Sequence, residues 1–144
     1  VNDFKVFAER ERAGWTDTDI VASYVEKFGP ITDQAAKSIL ERAPTSGKDV
    51  LDLCCGQGAL TAVLIKTGAN ATGIDFSHEM LAIAQTGAPE ANLHYGDAAA
   101  LPFDDGSFEF VICNFGMMHL PDQQKALAEI RRVLRADGKF MMAT

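Results

Sequence analysis

Val50-Leu-Asp-Leu-Cys-Cys-Gly-Gln-Gly-Ala-Leu-Thr61 decides the fold. Residues 50–53 form a short apolar run holding one carboxylate, Asp52. Two near-adjacent glycines follow, Gly56 and Gly58, and Leu60, Val63 and Leu64 then recur at helical spacing. The order is strand, tight loop, helix. Glycine at such a junction lets the backbone take positive φ and lets a ligand lie against the main chain, with the amides of the helix start facing it. Taken alone, the two glycines also suit plain turn positions in an ordinary βα unit. The acid narrows the choice of ligand. A dinucleotide site seats a pyrophosphate on the helix N-terminus and takes glycine at the third position of G-x-G-x-x-G, whereas that position is Thr61 here. Asp52, just before the loop, would repel a pyrophosphate and favour a cation.

Downstream, the pattern repeats. The helix ends near Thr67-Gly68, and Ala71 to Asp75 reads as a second strand whose last residue is acidic. A carboxylate at the C-terminal edge of a parallel strand can accept both hydroxyls of a ribose, so Asp75 points to an adenosine moiety without choosing the cofactor. Ser77 is placed as an N-cap with Glu79 in the first turn, and His78 between them reads as a solvated first-turn residue. Asn92 to Tyr95 forms a third strand ending at Gly96-Asp97-Ala98. After a turn-rich link, Phe108 to Cys113 is a near-continuous apolar fourth strand. Asn114-Phe-Gly-Met-Met-His119 leaves its end, with Asn114 able to bind cofactor or acceptor through its amide. His119 is a candidate base where the crevice opens, or equally a pocket-wall residue. Asp122 caps a helix with a buried face expected at Leu127, Ile130 and Leu134. Ala136-Asp-Gly138 then turns into a fifth strand over Lys139 to Ala143.

Upstream, the spacing predicts helices over Asp3 to Arg12, from Thr16 to Phe28 with Gly29-Pro30 as the stop, and over Thr32 to Ala43. Trp15, Tyr24 and Phe28 fall at helical spacing; the stripe reads as core, with a roof over the ligand as the other possibility. The division expected is one domain over 1–144, with N-terminal helices in 1–48 and a cofactor-binding core in 49–144.

Asp52-Leu-Cys-Cys-Gly-Gln-Gly58 resembles motif I of the Rossmann-like, class I methyltransferases, which usually reads D-x-G-C-G-x-G, and Gly73-Ile-Asp75-Phe-Ser-His-Glu-Met-Leu81 resembles the second motif. Together with Asp97 and Phe115-Gly-Met-Met-His119, the likeness covers about two thirds of the chain and is strongest to the ubiquinone/menaquinone-biosynthesis group. It implies an α/β, doubly wound, mainly parallel sheet of order 3-2-1-4-5 with a helical cap. It further implies S-adenosylmethionine as cofactor, whose ammonium and sulfonium suit Asp52. Asp75 would then hold the ribose, Phe76 and Met80 press on adenine, Asp97 reach the adenine amino group, and the Ala98 amide meet a ring nitrogen. Cys54 stands where the family has its first glycine. The resemblance also implies a further helix and antiparallel hairpin after strand five, so the core is expected to be C-terminally incomplete. In that case it would bind cofactor, turn over slowly or not at all, and self-associate through an exposed strand-five edge.

Composition bounds the partners. With 144 residues and 47% hydrophobic content, the chain suits one domain with a core. A formal charge of −7 gives no general attraction to nucleic acid or anionic membranes, and no run is long enough for a membrane span. Cys54, Cys55 and Cys113 lack zinc spacing and read as small buried residues of a reducing compartment, hence a cytoplasmic expectation. The function expected is methyl transfer to a small-molecule or lipid-like acceptor. The alternatives are an NAD(P)-binding oxidoreductase and a cofactor-binding module without turnover.

Overall fold

The apolar run that opens the signature becomes β1 (Asp49–Leu53), the central strand of a five-stranded sheet, in a computed structural model that describes residues 3–144. β2 (Asn70–Asp75) and β4 (Phe108–Asn114) flank it in parallel. β3 (Asn92–Tyr95) lies beyond β2, and β5 (Leu134–Ala143) beyond β4. The order is therefore 3-2-1-4-5, as expected, and β5 is an edge strand. Because the chain moves outward in opposite directions from β1, the crevice between β1 and β4 is the switch point where ligands bind in such sheets. Leu53 and Asn114 mark its two sides.

Both faces of the sheet are covered, so the strands read as continuous apolar runs rather than alternating ones. Leu51, Leu53, Val111 and Cys113 face one layer and pack with Ile130 and Val133 of α5 (Gln123–Val133). Val50, Phe110 and Ile112 face the other. There they meet Leu60 and Leu64 of α3 (Ala59–Lys66) and Ala36 and Ile39 of α2 (Thr18–Leu40). The remaining α-helices are α1 (Asp3–Trp15) and α4 (His78–Gly87), and Met117–His119 forms a short 3-10 helix after β4.

Three expectations are corrected. First, the chain has two N-terminal helices where three are expected. α1 continues through Gly14 to Trp15, and α2 runs unbroken through Gly29-Pro30. A proline inside a helix costs about 3 kcal/mol. Here the helix is anchored by burial on both sides of Pro30, at Val21 before it and Ala36 and Ile39 after it. Pro30 itself is exposed. Second, the buried face of α5 is Ala126, Ile130 and Val133, while Leu127 is 45% exposed and Leu134 already belongs to β5. The face is rotated by one residue, and on the rotated surface Arg132 reaches the carbonyls of Phe103 and Leu101 and the Glu129 carboxylate. Third, β5 starts before the Ala136-Asp-Gly138 turn rather than after it. Leu134 pairs with Phe108 and Lys139 with Phe110, and the residues between them form an irregularity within the strand.

Candidate cofactor site

The loop after β1 turns by positive φ at Cys54 (57°), Gly56 (53°) and Gly58 (79°). The Cys55 amide donates to Ile74 O at 3.0 Å, so the turn stays zipped to β2. Gly58 does not line the clefts described below. Its amide donates to Cys55 O at 2.9 Å, and a Cβ there would stand 2.8 Å from the Ala84 Cβ, so glycine is needed to seat α3 against α4. Cys54 carries a side chain where the family motif has glycine, and the space comes from across the crevice. A Cβ on Gly116 would lie 2.4 Å from the Cys54 Cβ and 2.8 Å from the Cys113 sulfur.

Three acids line the strand ends. Asp52 is 1% exposed and accepts from the Thr61 hydroxyl at 2.6 Å. Burial pushes its carboxyl up to about 7, against the lowering effect of the Thr61 hydroxyl and amide, with nearby Asp75 adding to the rise. Thr61, read in the sequence only as a missing glycine, is thus the partner of the buried acid. Asp75 is buried and accepts from the Gly56 amide through Oδ2 and the Ser77 amide through Oδ1, both at 2.9 Å. Burial raises its pKa, and those amides oppose the rise. Each oxygen keeps a further lone pair for a ligand hydroxyl. Asp97, exposed, is fixed by the Ala99 amide at 2.8 Å.

Asn114 is oriented from α2: its Nδ2 donates to Thr32 O at 2.9 Å. A carbonyl partner fixes which end is the amide. The other end, Oδ1, is buried with no partner, and it is the one such side-chain atom among the described residues.

Two adjoining clefts result. One, with about 620 Å³ of open volume, is lined by Asp52, Cys54, Gly56, Asp75, Phe76, Met80, Asn114 and His119 under Trp15 and Tyr24. The other, of about 500 Å³, is lined by Asp75, Phe76, Asp97, Ala98 and His119, with Glu11 and Arg12 of α1. The predicted residues are therefore brought together, Gly58 excepted. Trp15 and Tyr24 are a roof rather than core, and they meet edge-on with centroids 4.9 Å apart. Phe28 stacks on Tyr24 but is half exposed. His78 stacks on Tyr95 outside both clefts. The roof is pinned at the Ser77 hydroxyl, which donates to Trp15 O at 2.6 Å. Sequence reasoning missed Thr32, Glu11 and Arg12. Glu11 and Trp15 share a helix face four residues apart, but nothing local says what that face covers.

No lysine or arginine lines the larger cleft among the described residues, while two buried carboxylates do, together with Asn114, whose buried Oδ1 has no partner. That lining suits a cationic ligand with no phosphate. Among the described residues, no group of three His, Cys, Asp or Glu could hold a metal ion, and no helix is long and apolar enough to cross a membrane.

Fold and site together define a Rossmann-like nucleotide-cofactor protein with an acceptor-rich crevice. The methyltransferase domain family matches residues 51–142, and the chain belongs to that family. It is 43% identical over 103 residues to a demethylmenaquinone methyltransferase of Lactobacillus johnsonii, covering 65% of this chain and 42% of that protein. It is also 43% identical over 98 residues to the enzyme of the same name from Staphylococcus aureus, covering 64% and 41%. The chain thus spans less than half the length of these relatives. In fold it is similar to a candidate S-adenosylmethionine-dependent methyltransferase of Methanococcus maripaludis, with a TM-score of 0.78, 23% identity, and coverage of 89% of this chain and 64% of that one. S-adenosylmethionine is the cofactor that the family indicates, and the acidic lining of the cleft, free of lysine and arginine among the described residues, fits a cationic cofactor without phosphate.

Proposed function

We propose that the chain is the cofactor-binding part of an S-adenosylmethionine-dependent methyltransferase whose acceptor is a small quinol-like molecule. The observation that carries the reading is the unpartnered, buried Asn114 Oδ1 in the same cleft as buried Asp52. A buried acceptor left without a donor costs about 1–3 kcal/mol, and a ligand ammonium removes that cost. The quinol-like acceptor rests on the names of the relatives at 43% identity.

When bound, S-adenosylmethionine supplies a methyl group already activated by its sulfonium charge. The protein's own residues then position and exclude water. Asp75 and the Gly56 loop fix the nucleoside end, and Trp15 and Tyr24 roof the crevice against solvent. Asn114, held by Thr32 O, presents its carbonyl oxygen at a fixed place at the end of β4. The three free cysteines accord with a reducing, cytoplasmic setting. The thiol pKa values of Cys54 and Cys55 are pushed up, Cys54 by a thiol–thiol hydrogen bond with Cys113 and by burial, Cys55 by burial, which disfavours the nucleophilic thiolate.

The gene product carrying these residues, given S-adenosylmethionine labelled in the methyl group, should transfer label to a demethylated naphthoquinol. Label retained in the cofactor with every quinol and phenol offered, despite cofactor binding, would contradict the reading of turnover.

A further inference from the structure

Helix α1 brings a second chemical group into the crevice that neither the glycine loop nor the strand ends supply. Glu11 Oε2 lies 2.8 Å from His119 Nδ1 and 3.0 Å from the Trp15 Nε1 that donates to it. His119 follows β4 and Glu11 sits 108 residues earlier in the chain, outside the family-matched segment. Both side chains are mostly covered, at 31% and 23% exposed, and the Trp15 ring closes the imidazole edge-on at 5.0 Å. An ionised carboxylate only accepts hydrogen bonds, so the short contact requires the proton on Nδ1. In neutral His119 the free lone pair is then on Nε2. His119 stands in the wall shared by both clefts.

We propose that Glu11 is a positioning residue that holds His119 in the Nδ1–H tautomer as general base for an acceptor that must lose a proton, an enol, phenol or hydroquinone. The inference rests on the methyltransferase reading and deepens it. In the step, the acceptor X–H bond breaks and its electron pair stays on the acceptor. The proton passes to Nε2, and the resulting imidazolium is paired with the Glu11 carboxylate until the proton leaves to solvent. The same arrangement, with a carboxylate fixing ring orientation and compensating the charge that forms, is the role of the acid in hydrolase triads. Besides Glu11, the ionisable groups that line the two clefts with His119 are Arg12 of α1, Tyr24 of α2, Asp52, Cys54, Cys55, Asp75 and Asp97.

The test reads the tautomer directly. In ¹⁵N-labelled protein, two-bond imidazole correlations should show His119 as Nδ1–H at alkaline pH, turning into a mixture or the Nε2–H form in Glu11→Gln. In the same variant, transfer to a demethylated naphthoquinol should lose at least about tenfold in kcat and His119→Ala about 10²-fold or more, with cofactor Kd changing far less. An Nε2–H tautomer in the unmodified protein, or an unchanged kcat in Glu11→Gln, would overturn the dyad. Glu11→Asp, which keeps the carboxylate, should recover part of the kcat if the charge matters; equal loss in Glu11→Asp and Glu11→Gln, with native folding in both, would also count against it. If the protein binds no S-adenosylmethionine, the functional reading falls, while the tautomer still decides whether Glu11 sets the state of His119.

Discussion

The two halves of the crevice are built differently. Its floor, from β1 to the end of β4, is held by short-range backbone geometry. The loop turns on positive φ, and the Gly56 and Ser77 amides both end on one carboxylate, Asp75. Its roof, α1 and the first half of α2, is seated by the burial of Val21 and tied down by side-chain bonds that cross the molecule: Ser77 to Trp15 O, and the Glu11–His119 pair. A floor of this kind tolerates little change, because each group answers several others. A roof of this kind rests on fewer ties, and a single substitution reaches each of them.

The largest effect should come from the floor. Asp75→Ala removes the acceptor proposed for the ribose and strands the Gly56 and Ser77 amides. Cofactor affinity should fall by roughly 1.5–3 kcal/mol, ten- to more than a hundredfold, and the melting temperature should fall as well. Calorimetry showing unchanged affinity in a folded variant would put the ribose elsewhere.

Gly116→Ala should come next. Its Cβ would stand 2.4 Å from that of Cys54, backbone-anchored on both sides, at a cost of about 1–3 kcal/mol for overpacking. Cys54→Gly should relieve the clash and the left-handed φ together, so denaturation midpoints should show the double variant recovering most of the loss. Simple additivity would mean that the two sites are not coupled.

The roof should respond least in stability. Ser77→Ala loses the cap bond to the Met80 amide and the pin to Trp15 O, about 1–2 kcal/mol. The fluorescence of Trp15, the one tryptophan in the chain, should shift toward that of an exposed indole. If the emission does not move, the pin is not what holds the roof.

The same contrast explains what was legible in the sequence. β1, the glycine loop, β2 with Asp75, and β3 are local patterns, and the structure places them within a residue or two of where the sequence does. The sheet order follows from right-handed crossovers. What failed was set by packing at a distance. Gly29-Pro30 looks like a stop, and only the burial of Ala36 and Ile39 against α3 and the sheet keeps α2 in one piece. Trp15 and Tyr24 have a core-like spacing, and whether the stripe meets more protein or a crevice depends on elements far along the chain. Thr61 was visible as a missing glycine, but its bond to Asp52 joins a strand to the helix beside it and has no sequence period. Glu11 carried no signal at all, because its partner lies 108 residues away.

The central claim is that the floor recognises a cation without phosphate through Asp52, and its protonation tests this directly. The carboxyl stands at about 7 in the folded chain against an ordinary 3.8. Its folded value is raised, so folding binds a proton between those limits: the stability of the free protein should fall as pH rises from about 4 to about 7, and Asp52→Asn should make that slope shallower, leaving the share of Asp75, whose pKa burial also raises. A cation beside Asp52 favours the ionised form, so S-adenosylmethionine should bind more tightly as pH rises toward 7 and level off above it. Titration calorimetry at pH 6.5, in buffers of different ionisation enthalpy, should show up to about three-quarters of a proton released per S-adenosylmethionine bound, clearly less release in Asp52→Asn, and no heat with NAD. Binding of NAD, or S-adenosylmethionine binding with no proton release and no dependence on Asp52, would contradict the account.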